Sequence, residues 1–137
     1  MARYIAIVDY DADSGLYGAY FPDAPGCTAM GLSEEEVIAN ATDALAEWAA
    51  DVGGDGGEFP HPRSYAQLLK SNEYSELASG GMIATIPLVV ELGKLTRANI
   101  SMDAGILAAI DEEAGRRGMT RSAFLASAAR AKIKSEA

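Results

Sequence analysis

Residues 94–101 read Lys94-Leu95-Thr96-Arg97-Ala98-Asn99-Ile100-Ser101, a stretch whose side chains alternate in character. In an extended chain successive side chains point to opposite sides. Thr96, Ala98 and Ile100 therefore share one face, and Arg97 and Asn99 share the other. This spacing predicts a short strand over 94–101. Downstream, Leu107, Ile110 and Ala114 recur at helical steps, which predicts a helix from about Asp103 to Arg117 with Gly118 as its C-terminal stop. Thr120 then stands where it caps a further helix carrying Phe124, Leu125, Ala128 and Ile133. One strand and two short helices bury too little apolar surface to stand alone, so this segment is expected to oligomerise.

Charge divides at the same place. The chain of 137 residues carries a net charge of −9, which as an average argues against a nucleic-acid binder. Residues 1–93 hold three cations (Arg3, Arg63 and Lys70) against fifteen carboxylates, a net of −12; residues 94–137 hold eight against five, a net of +3. Such asymmetry points to two tasks on one chain, one facing an anionic partner, or simply to a solvated acidic domain with a mildly basic tail. Apolar and charged fractions of 49% and 23% are near globular averages, which argues against a disordered chain. No apolar run reaches the roughly 18 to 20 residues of a membrane span. The opening MARYIAIVDYD does not read as a signal peptide, and Cys27 is the single cysteine, in keeping with a reducing cytoplasm.

Upstream, Arg3 to Tyr10 is rich in β-branched and aromatic residues and predicts a buried strand. The turn cluster Asp11 to Gly15 and a second apolar run, Leu16 to Phe21, complete a hairpin. Pro22-Asp23-Ala24-Pro25-Gly26 breaks the chain, and Cys27 to Met30 predicts a third short strand. Ser33 and Glu36 have capping-box spacing at the head of a helix whose apolar face comprises Val37, Ile38, Ala41, Leu45, Trp48 and Val52. Residues 53–57, Gly53-Gly54-Asp55-Gly56-Gly57, predict its end and a mobile loop. A shorter helix is expected from Ser64 to Ser71 with Tyr65, Leu68 and Leu69 inward, and a last strand from Met82 to Leu92, at an edge or bulged because Pro87 lacks an amide donor.

Several residues invite sharper chemistry. Asp9, Asp11 and Asp13 have the spacing that opens a calcium loop, but Ser14 and Tyr20 stand where Gly and Glu would be needed, so a solvated turn is the better reading. Asp9 alone sits at a plausible position for a two-metal nuclease. His61, the only histidine, lies between Pro60 and Pro62 without a catalytic neighbour in sequence, and Cys27 reads as a small buried hydrophobe. Trp48 reads as core, or as an exposed aromatic at a protein interface.

The segment Thr96 to Ser101, the helix ending at Gly118 and Met119-Thr120-Arg121-Ser122-Ala123-Phe124-Leu125 together resemble the ribbon–helix–helix superfamily. That resemblance implies a strand pair formed across a dimer and inserted in the major groove, with Arg97 and Asn99 facing base edges. It implies that Thr120, Arg121 and Ser122 present their amides to a phosphate, with Lys94 and Arg121 adding charge. Leu95 departs from the pattern, standing where many such proteins carry a polar DNA-reading residue. The alanine-rich helices imply a thin dimer core.

Tyr20-Phe21-Pro22-Asp23-Ala24-Pro25-Gly26-Cys27, followed by Gly31, Ser33 and Glu36, is similar to the signature of the HicB family of antitoxins. The two resemblances imply an α+β chain: residues 1–92 as a βββα(α)β, partially degraded RNase H-like domain that neutralises toxin, and residues 93–137 as a ribbon–helix–helix (βαα) module. They imply a basic HicA-type mRNA-cleaving RNase as partner, operator DNA as ligand, a homodimer or higher oligomer, no cofactor, no metal, no membrane and no catalysis. They name no toxin-contacting residue. Two alternatives stay open: a stand-alone regulator with a ligand-sensing N-terminal domain, and a residual nuclease.

Overall fold

The computed structural model describes residues 1–54, 60–71 and 81–135. The chain forms two compact units, Met1–Glu91 and Leu92–Glu136. Its architecture is α+β.

The first unit is built on a four-stranded antiparallel sheet of order β3-β2-β1-β4. Its strands are β1 (Arg3–Asp11), β2 (Leu16–Tyr20), β3 (Thr28–Gly31) and β4 (Met82–Pro87), with α1 (Glu34–Gly54) and α2 (Tyr65–Lys70) in the connection from β3 to β4. The turn joining β1 to β2 is closed from within. The Asp11 carboxylate accepts from the Asp13 amide at 3.0 Å and the Ser14 hydroxyl at 2.9 Å, and Gly15 takes the positive φ of 73° that the turn requires. The D-x-D-x-D run is thus a turn, and the bonds from Ser14 and Asp13 lower the Asp11 pKa.

Alternate residues of β1 face opposite sides of the sheet. Tyr4, Ala6 and Val8 are buried with Val37, Ala41, Leu45 and Ala49 of α1. Ile5 and Ile7 point the other way and pack with Leu68 of α2. The close approach of α1 is set by Gly31, where a Cβ would stand 2.6 Å from the Val37 nitrogen. Ser33 accepts from the Glu36 amide at 3.1 Å and so caps α1. Trp48 is half-buried: its Nε1 donates to the Pro25 carbonyl at 3.2 Å, and its ring meets Tyr4 edge-on at 6.4 Å.

Several expectations shift. The third strand begins at Thr28 rather than Cys27, because the Cys27 amide is spent on the Ala24 carbonyl in the preceding turn. α2 buries only Leu68, while Tyr65 and Leu69 are each 46% exposed, since a helix of six residues presents one side chain to the sheet. β4 stops at Pro87, far short of Leu92: after Leu88 donates to Ala2 at 2.9 Å the chain leaves the sheet. β4 is an edge strand, where a residue without an amide is tolerated. α1 includes Gly53 and Gly54, and the rest of the expected mobile loop, residues 55–57, lies outside the described residues.

The turn after β2 is tied down from a distance. Asp23, 9% exposed, accepts from the Arg63 amide at 2.6 Å and from Arg63 Nε at 2.8 Å. Tyr4 donates to the Pro60 carbonyl at 2.6 Å. Burial, with the Asp23 charge adding to it, raises the Tyr4 pKa. Burial and then the charge of Glu47 likewise raise the pKa of Cys27, which is buried and free. No helix among the described residues is long and apolar enough to cross a membrane.

Candidate nucleic-acid interface

The second unit holds α3 (Ala104–Arg116) and α4 (Arg121–Ser135). Asp103 caps α3, its Oδ1 accepting from the Gly105 and Ile106 amides at 2.8 and 3.2 Å. At the far end the Gly118 amide donates to Gly115 and the Met119 amide to Ala114, with Gly118 at φ 67°. That paired pattern is a Schellman stop, which needs a left-handed residue where glycine stands. Thr120 Oγ1 then accepts from the Ala123 amide at 3.1 Å and starts α4.

Of the six residues expected to meet DNA, Lys94, Arg97 and Asn99 are exposed and make no hydrogen bond or ion pair among the described residues. The segment that carries them has no regular secondary structure in the single chain. The strand expected over 94–101 is thus not formed, because no other strand among the described residues offers its backbone groups partners there. The alternation of its side chains is nonetheless visible. Thr96, Ala98 and Ile100 line a groove of about 810 Å³ together with Leu107, Leu125 and Ala129, whereas Arg97 and Asn99 are not among its walls.

Thr120, Arg121 and Ser122 gather at the N-terminus of α4. The Arg121 and Ser122 amides have no acceptor among the described residues, as is usual for the first turn of a helix. The Arg121 guanidinium is already engaged: Nε and Nη2 donate to the two oxygens of Asp111 at 2.8 and 2.7 Å. This fork lowers the Asp111 pKa and raises that of Arg121. Asp111 was invisible to sequence reasoning, because nothing in residues 111–121 marks the two as partners. Arg116 and Arg117 are similarly held on Glu113, whose carboxyl is pushed down to about 2 by hydrogen bonds from Arg116 and then Arg117.

The apolar interior of this unit is thin. Ala114 is the one residue of α3 that is buried, α4 buries none, and Ala128 is exposed. Ile100 is 65% exposed and Leu95 fully so.

In the first unit Asp9 is exposed near the end of β1, and His61 is exposed as well. Among the described residues no three His, Cys, Asp or Glu side chains stand close enough to hold a metal ion.

Residues 4–129 match the family model described as HicB_like antitoxin of bacterial toxin-antitoxin system. The antitoxin HicB of Burkholderia pseudomallei is similar in structure, with 28% identity, a TM-score of 0.56, and 94% of this chain and 96% of that one covered. Antitoxin HicB3 is similar at 26% identity and TM-score 0.52, covering 96% and 97%. A HicA3 and HicB3 toxin-antitoxin complex shares the fold at 20% identity and TM-score 0.50, covering 64% and 98%. No curated protein matches the chain.

Proposed function

The chain belongs to the HicB-like antitoxin family of bacterial toxin–antitoxin systems, and on that premise we propose that it neutralises a small, basic HicA-type RNase and represses its own operon by binding operator DNA. In this reading residues 1–92 are a partially degraded RNase H-like domain that covers the toxin. Residues 93–137 are a ribbon–helix–helix module that binds DNA as a dimer or higher oligomer. The chain itself catalyses nothing and acts in the cytoplasm.

One observation carries the reading: the family match runs from Tyr4 to Ala129 and so spans both compact units. The physical features agree with it. An RNase must attract phosphates, so a partner domain carrying a net −12 steers towards it and competes with RNA. In the second unit the open groove beside Thr96, Ala98 and Ile100 is the space a second copy fills when two ribbon strands pair. Pairing turns Arg97 and Asn99 of both copies outward as a ribbon narrow enough for the major groove, about 12 Å wide. Lys94 and the amides of Thr120, Arg121 and Ser122 take the flanking phosphates.

The test is binding of the full chain to DNA from its own promoter. Affinity falls steeply with salt, and Arg97→Ala and Asn99→Ala each cost about 1–3 kcal/mol, as expected for bidentate base contacts. Binding that is unchanged in both variants contradicts the ribbon assignment.

A further inference from the structure

Asp9, the carboxylate that the sequence singles out for metal chemistry, stands instead in a groove at one end of the sheet. β1 pairs with β4 only as far as Val8↔Met82 but continues to Asp11, so its last three residues run past the edge of β4. A groove of about 440 Å³ opens there, its walls including Asp9, Tyr10, Tyr17, Glu34 and Met82. All belong to the first unit.

The chemistry of those walls is specific. Tyr10 and Tyr17 are cross-strand partners with ring centroids 4.8 Å apart, and Tyr10 is 58% exposed, so its ring is open to a partner. Asp9 and Glu34 make no hydrogen bond or ion pair among the described residues. Glu34 is not needed for the helix cap, since Ser33 serves the Glu36 amide. Gly81 forms another part of the wall, and a Cβ there would lie 3.3 Å from Asp9 Oδ1, so the glycine leaves that carboxylate its room.

We propose that this groove receives an arginine or lysine side chain of the basic toxin and is a principal contact of the antitoxin with it. Aromatic faces attract cations, and a planar guanidinium both stacks on tyrosine and forks to a carboxylate. The surrounding charge of −12 draws a basic protein in and repels RNA, so protein rather than nucleic acid is the occupant. The inference rests on the antitoxin reading and adds to it the place of contact.

The experiment measures the affinity of the full chain for the HicA-type RNase proposed as its partner, by titration calorimetry. The double variant Asp9→Asn with Glu34→Gln weakens binding by about tenfold, and Tyr10→Leu weakens it by several-fold. The control Glu47→Gln with Asp51→Asn removes the same charge at exposed positions of α1 outside the groove and costs no more than about threefold. Equal loss in the two double variants overturns the groove and leaves only general acidity, with the antitoxin reading intact. No binding by the unaltered chain overturns the antitoxin reading itself. Should Asp9→Asn with Glu34→Gln fail to fold, Tyr10→Leu decides alone: binding equal to that of the unaltered chain rejects the groove.

Discussion

Arg121, the first residue of α4, is forked onto Asp111 of α3 through two hydrogen bonds of 2.8 and 2.7 Å. The guanidinium best placed to meet a phosphate at the head of α4 is therefore neutralised by a neighbour within its own unit. Both groups are exposed, so the pair adds little stability, and in the proposed DNA-binding role it acts as a local electrostatic brake.

Releasing that brake has a measurable signature. Asp111→Asn frees one cation beside the proposed phosphate site, so promoter DNA is bound more tightly. The slope of log K against log salt steepens by about 0.9, the value for one further phosphate neutralised. Adding Arg121→Ala to Asp111→Asn returns the slope to that of the unaltered chain. A slope that Asp111→Asn leaves unchanged places Arg121 away from the DNA backbone.

Glu113 gives a pH prediction for the same unit. Its carboxyl is held at about 2 against an ordinary 4.5 by Arg116 and Arg117. With a depressed native pKa the unfolded chain takes up the proton first, so the contribution is complete above about 4.5 and is lost as pH falls towards 2. Thermal unfolding followed by circular dichroism should show stability declining across that window, and Glu113→Gln should flatten the decline. Parallel pH profiles for the two proteins contradict the prediction.

Gly31 is required by contact, not by turn geometry. An added Cβ meets the Val37 nitrogen at 2.6 Å and the Val37 Cα at 2.9 Å, both backbone atoms of α1 that cannot swing aside. Gly31→Ala is expected to cost about 1–3 kcal/mol in urea unfolding through forced displacement of the helix. Gly18→Ala, in the neighbouring strand with no atom within 4 Å of the new methyl, should be close to neutral. Similar losses in the two variants remove the contact explanation.

Asp23 ties the turn after β2 to residues far along the chain. Asp23→Ala removes the carboxylate to which the Arg63 amide and Nε donate and is expected to destabilise the first unit by about 1–3 kcal/mol. Amide hydrogen exchange at Arg63 should accelerate in step. Protection retained at Arg63 would show that something other than Asp23 holds that segment.

What was legible in the sequence follows the range of the interactions involved. Asp11, Ser14 and Gly15 closing a hairpin, Ser33 capping α1 and Gly118 stopping α3 are local matters, and local spacing gave them away. The family signature was legible for a similar reason: its glycine, Gly31, answers to a contact six residues away, with Val37. Pairings without a local pattern were hidden. Asp23 with Arg63 spans 40 residues and Asp111 with Arg121 spans 10, and neither spacing belongs to a turn or a single helix. Helical spacing also overstated burial at Tyr65 and Leu69, each 46% exposed. The groove joins Asp9 and Tyr10 of β1, Tyr17 of β2 and Glu34 of α1, and only the tertiary fold brings them together.

The most direct test of the antitoxin account is a titration of RNA cleavage. The HicA-type RNase proposed as the partner is incubated with a labelled RNA while the full chain is added in increasing amounts. The account predicts that cleavage falls in proportion to the chain added and stops at a fixed stoichiometry. Cleavage that continues undiminished with the chain in excess contradicts it.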